Sequence, residues 1–119
     1  MTRFFTGLLL LALGPAVTWG AVQARGNPVK GQAIYEQHCL RCHGAQLDGK
    51  GPDSKDLIVR PADLTSPVSR AKTDWELLVT ITNGALFTPM HSFRGKLSDE
   101  QILDVLGYVR SVAPFDTVS

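Results

Sequence analysis

The stretch Cys39-Leu40-Arg41-Cys42-His43 decides the reading of this 119-residue chain, because it holds both of the chain's cysteines. A disulfide between them would close a tiny loop and could not staple a fold. The segment ahead of it sets the compartment. Arg3 supplies a positive start, Leu8 to Leu13 with Phe4 and Phe5 an apolar run, and Val22-Gln23-Ala24 a small-residue cleavage site. These are the three parts of a secretory signal. Residues 1–24 are therefore expected to be a signal peptide and residues 25–119 an exported, periplasmic domain. Gly14-Pro15 interrupts the apolar run as a spanning helix. If the segment stays uncleaved it becomes a membrane anchor, the one route by which a membrane enters this reading.

Composition removes several classes of function. The chain carries 12 Lys+Arg against 11 Asp+Glu, and loss of Arg3 with the signal leaves the domain balanced. A polycationic nucleic-acid binder is thereby excluded, and the length leaves no room for a multidomain enzyme. A domain of roughly 95 residues buries little core of its own and usually relies on disulfides, a metal or a cofactor.

Three chemistries use a Cys-x-x-Cys core. A structural zinc site wants four ligands, and no second Cys-x-x-Cys or His-x-His completes one. A thioredoxin-like redox pair sits at a helix start after a strand, a context absent here. Covalent haem attachment needs only what is present. Two thiols three residues apart lie on one side of a helical turn and can each form a thioether with a vinyl group, while the next residue, His43, turns an imidazole toward the iron.

On these residues the chain resembles the soluble monohaem c-type cytochromes of bacterial electron transport. The likeness spans residues 27–113 and rests on the pentapeptide, the downstream Met90 and an amphipathic C-terminal helix. It implies an all-α, small cytochrome c fold of three to four helices around one covalently bound haem c. It also implies that Gly31 and Tyr35 let the first and last helices cross closely; otherwise Gly31 merely weakens its helix. By the same resemblance the proline carbonyl of the Gly51-Pro52 loop accepts a hydrogen bond from His43, and Val105 and Tyr108 meet the first helix.

Local signals place the elements. Asn27-Pro28 is an N-cap followed by a first-turn proline, so a helix should run from Val29 to Cys39. Thr73 with Glu76 forms one capping box and Ser98 with Gln101 another. Asn83-Gly84 should close the first of these helices, and the second carries Ile102, Val105, Leu106 and Val109 at amphipathic spacing and ends near Pro114. Asp48 to Asp53 and Arg60 to Pro67 are irregular, and Leu57-Ile58-Val59 forms a short helical or extended piece over a haem edge. Trp75 reads as core or haem-side packing.

Met90 is the only methionine beyond Met1 and lies 47 residues after His43, in an irregular loop between two predicted helices. A neutral thioether opposite His43 would favour ferrous iron. The Met90-His91-Ser92-Phe93 stretch resembles the family's distal loop, but its proline, Pro89, precedes the methionine, where the family commonly has one after it. His91 therefore stands as a rival sixth ligand, and His38 as a surface or haem-edge residue. Leu57, Leu64, Leu86, Phe87 and Phe93 are candidate pocket walls or ordinary core. Arg60, Arg94 and Lys96 are either propionate partners or solvated charges. The cofactor-binding set is thus Cys39, Cys42, His43 and Met90, with His43 and Met90 on the metal. The expected function is one-electron transfer between periplasmic or membrane-bound redox proteins, without catalysis of its own. The alternatives are a haem subunit of a larger dehydrogenase or reductase, and a sensor or enzyme with an open iron site.

Overall fold

The computed structural model describes residues 26–116; the expected signal peptide lies outside them. Within this range the chain forms α1 (Pro28–His38), a single-turn α2 (Leu40–His43), a 3-10 turn (Ser54–Asp56), a single-turn α3 (Pro67–Arg70), α4 (Asp74–Asn83) and α5 (Asp99–Val112). Three full helices and two single turns match the all-α expectation, and no extended strand is present among the described residues.

Each full helix starts where its capping chemistry lies. The Asn27 side chain accepts from the backbone N–H groups of Val29 and Lys30, with Pro28 in the first turn. Both capping boxes are closed, Thr73 with Glu76 and Ser98 with Gln101, each side chain satisfying an otherwise orphaned N–H of the other's backbone. In the first box, hydrogen bonds from the Thr73 backbone N–H and hydroxyl hold the Glu76 carboxyl below its usual range.

α1 and α5 cross in intimate contact, and glycine makes the crossing possible. A Cβ on Gly31 would lie 1.9 Å from the Asp104 carbonyl oxygen, and one on Gly107 would lie 2.5 Å from that of Gly26. Backbone therefore rests on backbone, as the resemblance implied. The contact is pinned by Asp104, only 4% exposed, whose carboxylate accepts the Asn27 backbone N–H at 2.6 Å. Tyr35, Leu47, Val105 and Val109 fill the space beside it, and the Tyr35 and Tyr108 rings pack at 5.3 Å. A second cluster, Phe93, Leu97 and Ile102, ties the last loop to the N-terminal end of the same α5 face.

The structure moves Trp75 out of the interior. It is 70% exposed and borders a shallow groove between α4 and α5. The reason is helical phase: Leu77 and Ile81 face inward, and Trp75 sits two residues from Leu77, about 200° around the axis.

Gly31→Ala should wedge the crossing apart and lower the stability of the haem-loaded protein by about 1–3 kcal/mol, read as a lower denaturant midpoint with unchanged slope.

Candidate functional site

α1 ends at His38, and the chain immediately makes the single turn α2, so Cys39, Cys42 and His43 are presented together from one tight piece of backbone. The amides of Cys42 and His43 both donate to the Cys39 carbonyl. Tyr35 fastens this turn from below: its hydroxyl, deep in the interior, donates to the Gly44 carbonyl at 2.7 Å. Burial holds that phenol well above its ordinary pKa, so the donor proton stays in place.

All three residues of the motif line one cavity of about 340 Å³, and Met90 lines it too. The size falls in the range of small-molecule and cofactor sites. Its walls come from Leu57, Val59 and Leu64 on the irregular segment, Leu77 and Ile81 on α4, Val105, Leu106 and Val109 on α5, and Phe93. α4 has no fully buried residue: Leu77, Thr80 and Ile81 line the cavity, while Leu78 packs beside Phe93 and Leu97 of the loop before α5 and Ile102 of α5 itself. The cavity-lining side is shaped for a flat apolar group.

The chemistry of the donors fits a haem and does not fit a thiol redox couple. Both cysteines are free thiols, and burial, reinforced by Cys42, pushes Cys39 up to about 11. A redox-active Cys-x-x-Cys needs a depressed thiol pKa. His43 moves the other way: burial lowers its pKa, outweighing the opposing effect of its hydrogen bond, and keeps the imidazole neutral as a metal ligand must be. Its Nδ1 lies 3.2 Å from the Ala62 carbonyl oxygen. A carbonyl only accepts, so the proton sits on Nδ1 and the Nε2 lone pair is left for a metal. No three His, Cys, Asp or Glu side chains converge on a bare metal site among the described residues.

The acceptor for His43 corrects the expectation placed on Gly51-Pro52. The Gly51 N–H donates to the Cys42 carbonyl, and a Cβ at Gly51 would lie 2.3 Å from the Arg41 carbonyl oxygen, so this loop packs against the backbone of the motif. The segment that reaches His43 is Pro61-Ala62, drawn in because the Leu64 N–H donates to the Leu47 carbonyl at 2.8 Å.

Met90 is delivered by a loop stitched to the end of α4. The Ala85 N–H donates to the Met90 carbonyl, the Ser92 hydroxyl to that of Thr82, and the Phe93 N–H to that of Ile81. Gly84 ends the helix at φ +77°, where a Cβ would lie 2.7 Å from the Met90 carbonyl oxygen. His91 and His38 also line the cavity, with rings 4.6 Å and 6.0 Å from that of Phe93.

Several expected wall residues are elsewhere. Leu86 and Phe87 project from the tip of the Met90 loop, Phe87 being 98% exposed, because the closure of residues 85–90 turns the tip outward and holds Phe87 at φ 61°. Leu57, Leu64 and Phe93 do line the cavity; Ile58 is fully exposed and Val59 lines it too, the two forming a bend where a helical or extended piece was expected. Of the three cations named from sequence, Arg60 lines the cavity, Arg94 donates to the Asn83 side chain at 2.6 Å, and Lys96 is exposed away from it. Lys72 joins Arg60 on the cavity wall, and sequence reading missed it because its only local signal is adjacency to the Thr73 cap.

Comparison with known proteins gives the same answer from a different direction. Residues 26–109 match the family described as cytochrome C oxidase, cbb3-type, subunit III. The chain is 31% identical to cytochrome c6 of Synechocystis over 91% of its own length and 87% of that protein. It is 33% identical to the dihydro-heme d1 dehydrogenase of Pseudomonas aeruginosa over 90% of its length, but spans only 19% of that relative. Among solved structures, a chain of the Kuenenia stuttgartiensis reducing HAO-like protein complex superposes with a TM-score of 0.67 at 28% identity, covering 72% of this chain and 43% of that one.

Gly84→Ala should cost more than Gly95→Ala. Both glycines have positive φ, but a Cβ at Gly95 meets nothing within 4 Å. Gly95→Ala is expected to lose only the left-handed penalty of about 1 kcal/mol. Gly84→Ala adds the displacement of the Met90 loop, and paired chemical denaturation of the two variants measures the difference.

Proposed function

Because the chain belongs to the cytochrome c family and so carries a covalently bound haem c in a haem-based electron-transfer role, we propose that it is an exported one-electron carrier with His43 and Met90 as axial ligands. The observation that carries this reading is the shared cavity: the neutral, Nδ1-protonated imidazole of His43 and the one thioether of the domain line the same space. When bound, the haem supplies reversible one-electron chemistry at its iron. The chain's residues do the rest. Cys39 and Cys42 tether the group, the Ala62 carbonyl fixes the His43 ring, and the apolar walls exclude water, which limits the reorganisation that accompanies a change of iron charge. With both axial positions filled there is no place for a substrate on the metal, and the protein does no bond-making of its own.

Redox partners would meet the cavity mouth, where the exposed Leu86, Phe87 and Ile58 accompany the Met90 loop and the 57–62 segment. The near-balanced charge of the domain gives little long-range steering, so short-range apolar complementarity would select periplasmic or membrane-bound partners. No described helix is long and apolar enough to cross a membrane. A second reading, a haem domain working within a larger dehydrogenase or assembly, is favoured by one observation. Two of the similar proteins contain this domain as 19% and 43% of a longer chain.

Axial ligation is the decisive test. The oxidised protein should be low-spin with a far-red sulfur-to-iron band, and the reduced protein should bind carbon monoxide slowly. Met90→Ala should abolish that band, open the iron to carbon monoxide and lower the reduction potential, while His91→Ala should leave all three unchanged. Retention of the spectrum in Met90→Ala and its loss in His91→Ala would transfer the ligand role to His91. Fast, tight carbon monoxide binding by the unsubstituted protein would replace the carrier with an open-iron sensor or enzyme.

A further inference from the structure

We propose that Leu47 is the positioning residue for the axial histidine: through the Leu64 amide it sets where the Ala62 carbonyl stands, and so how firmly that carbonyl holds Nδ1 of His43. The inference deepens the haem reading above and rests on it. Leu47 is wholly buried, yet it forms no part of the cavity wall, so it acts on the site only through other residues. Its side chain packs with Tyr35, Val105 and Val109 in the cluster at the helix crossing. Its backbone stands at φ 59°, and among the described residues Phe87 is the only other non-glycine residue with a positive φ. A leucine persists in left-handed backbone only where its surroundings over-determine it. Here the anchoring of its side chain in the core does so.

The hydrogen bonds around Leu47 lead from the core to the histidine. The Tyr35 hydroxyl and the Leu47 N–H both donate to the Gly44 carbonyl, at 2.7 and 3.2 Å, and fix the start of the turn. The Gly49 N–H donates to the His43 carbonyl at 2.8 Å and fixes its end. Between them the left-handed residue offers its own carbonyl to the Leu64 N–H at 2.8 Å. Among the described residues, the main chain from Ile58 to Leu64 makes two hydrogen bonds to the earlier part of the chain, this one and the bond between the Ala62 carbonyl and His43. The second is long. At 3.2 Å it lies at the far end of the ordinary range, so a retreat of Ala62 by about 0.4 Å would break it. Pro61 has no N–H with which to add another anchor. The bond on the imidazole thus depends on the shorter one at Leu47.

A carbonyl that accepts from Nδ1 fixes the ring and makes the imidazole a more basic ligand, which favours ferric iron. Loosening that hold should therefore raise the reduction potential. The experiment compares the haem-loaded unsubstituted protein with Leu47→Gly, Leu47→Met, Tyr35→Phe and Ile102→Ala, reading the midpoint and, by NMR of the reduced state, the chemical shift of the His43 Nδ1 proton. Leu47→Gly accepts the turn but loses the anchor, and should raise the midpoint and move the Nδ1 proton upfield. Tyr35→Phe removes one bond to Gly44 and should do the same to a smaller extent. Leu47→Met keeps an apolar anchor of similar size and should retain both original values. Ile102→Ala opens a hole in the other buried cluster, away from the cavity wall, and should lower stability while leaving both readings unchanged. An unchanged midpoint and Nδ1 shift in loaded Leu47→Gly, or in Tyr35→Phe where Leu47→Gly does not load, would overturn the proposal. Equal changes in Ile102→Ala would overturn it too, by reducing Leu47 to ordinary core. Lack of covalent haem, or of the far-red band, in the unsubstituted protein would be seen first and would refute the haem reading, and this inference with it.

Discussion

The crossing of α1 over α5 is the constraint on which the rest depends. Gly31 and Gly107 let main chain lie on main chain, and the buried Asp104 carboxylate locks the register by accepting the Asn27 N–H. The distance between the helices determines where α1 ends relative to α5, and hence where Cys39, Cys42 and His43 face Val105, Leu106 and Val109 across the cavity. A side chain at either glycine would move the haem-binding turn away from its opposite wall as a unit. The glycines here contribute close approach, which outweighs the roughly 0.5–1 kcal/mol that each costs inside a helix.

Beyond that frame, much of the apolar surface is committed to the cofactor. Among the described residues, seven of the nine buried hydrophobic side chains form two small clusters, one at the helix crossing and one under the last loop. Between them Leu57, Leu64, Leu77 and Ile81 are only half-buried and face the cavity. For a domain this small, a large flat apolar group is as much a structural element as a helix. The long irregular run from Gly44 to Ser66 follows from the same cause. Apart from the 3-10 turn Ser54–Asp56, its order comes from backbone hydrogen bonds to the motif and between Leu64 and Leu47, and from lying along the cavity wall.

What was legible in sequence follows the range of the interaction. The starts of the three full helices could be read because capping is settled within four residues, as Asn27, Thr73 and Ser98 show. Cys39, Cys42 and His43 could be read as a group because their spacing is local. Met90 could be singled out because it has no competitor among methionines. The errors occur where the outcome depends on residues far along the chain. Nothing near Gly51-Pro52 reveals that the Leu47–Leu64 hydrogen bond brings Ala62 to His43. Leu86 and Phe87 look like core by composition, but the six-residue closure that delivers Met90 turns them outward. Trp75 is misplaced by phase alone, since hydrophobicity says that a residue packs without saying against what.

Phe87 shows how function and stability separate in this loop. A phenylalanine held in left-handed backbone and almost wholly exposed adds strain and no burial to the domain. Folding therefore gives no reason for it, whereas a partner that covers the loop beside Met90 would bury its ring. Replacing it with glycine should leave the isolated domain equally stable or up to about 1 kcal/mol more stable, since the strain and the entropic cost of glycine nearly offset. The same change should weaken association with any partner that docks there, through faster dissociation more than slower encounter, because an uncharged anchor contributes contact area and no steering. Such a side chain, in the loop that carries the proposed distal ligand but outside the cavity wall, fits the proposed docking of a redox partner and not the holding of the haem.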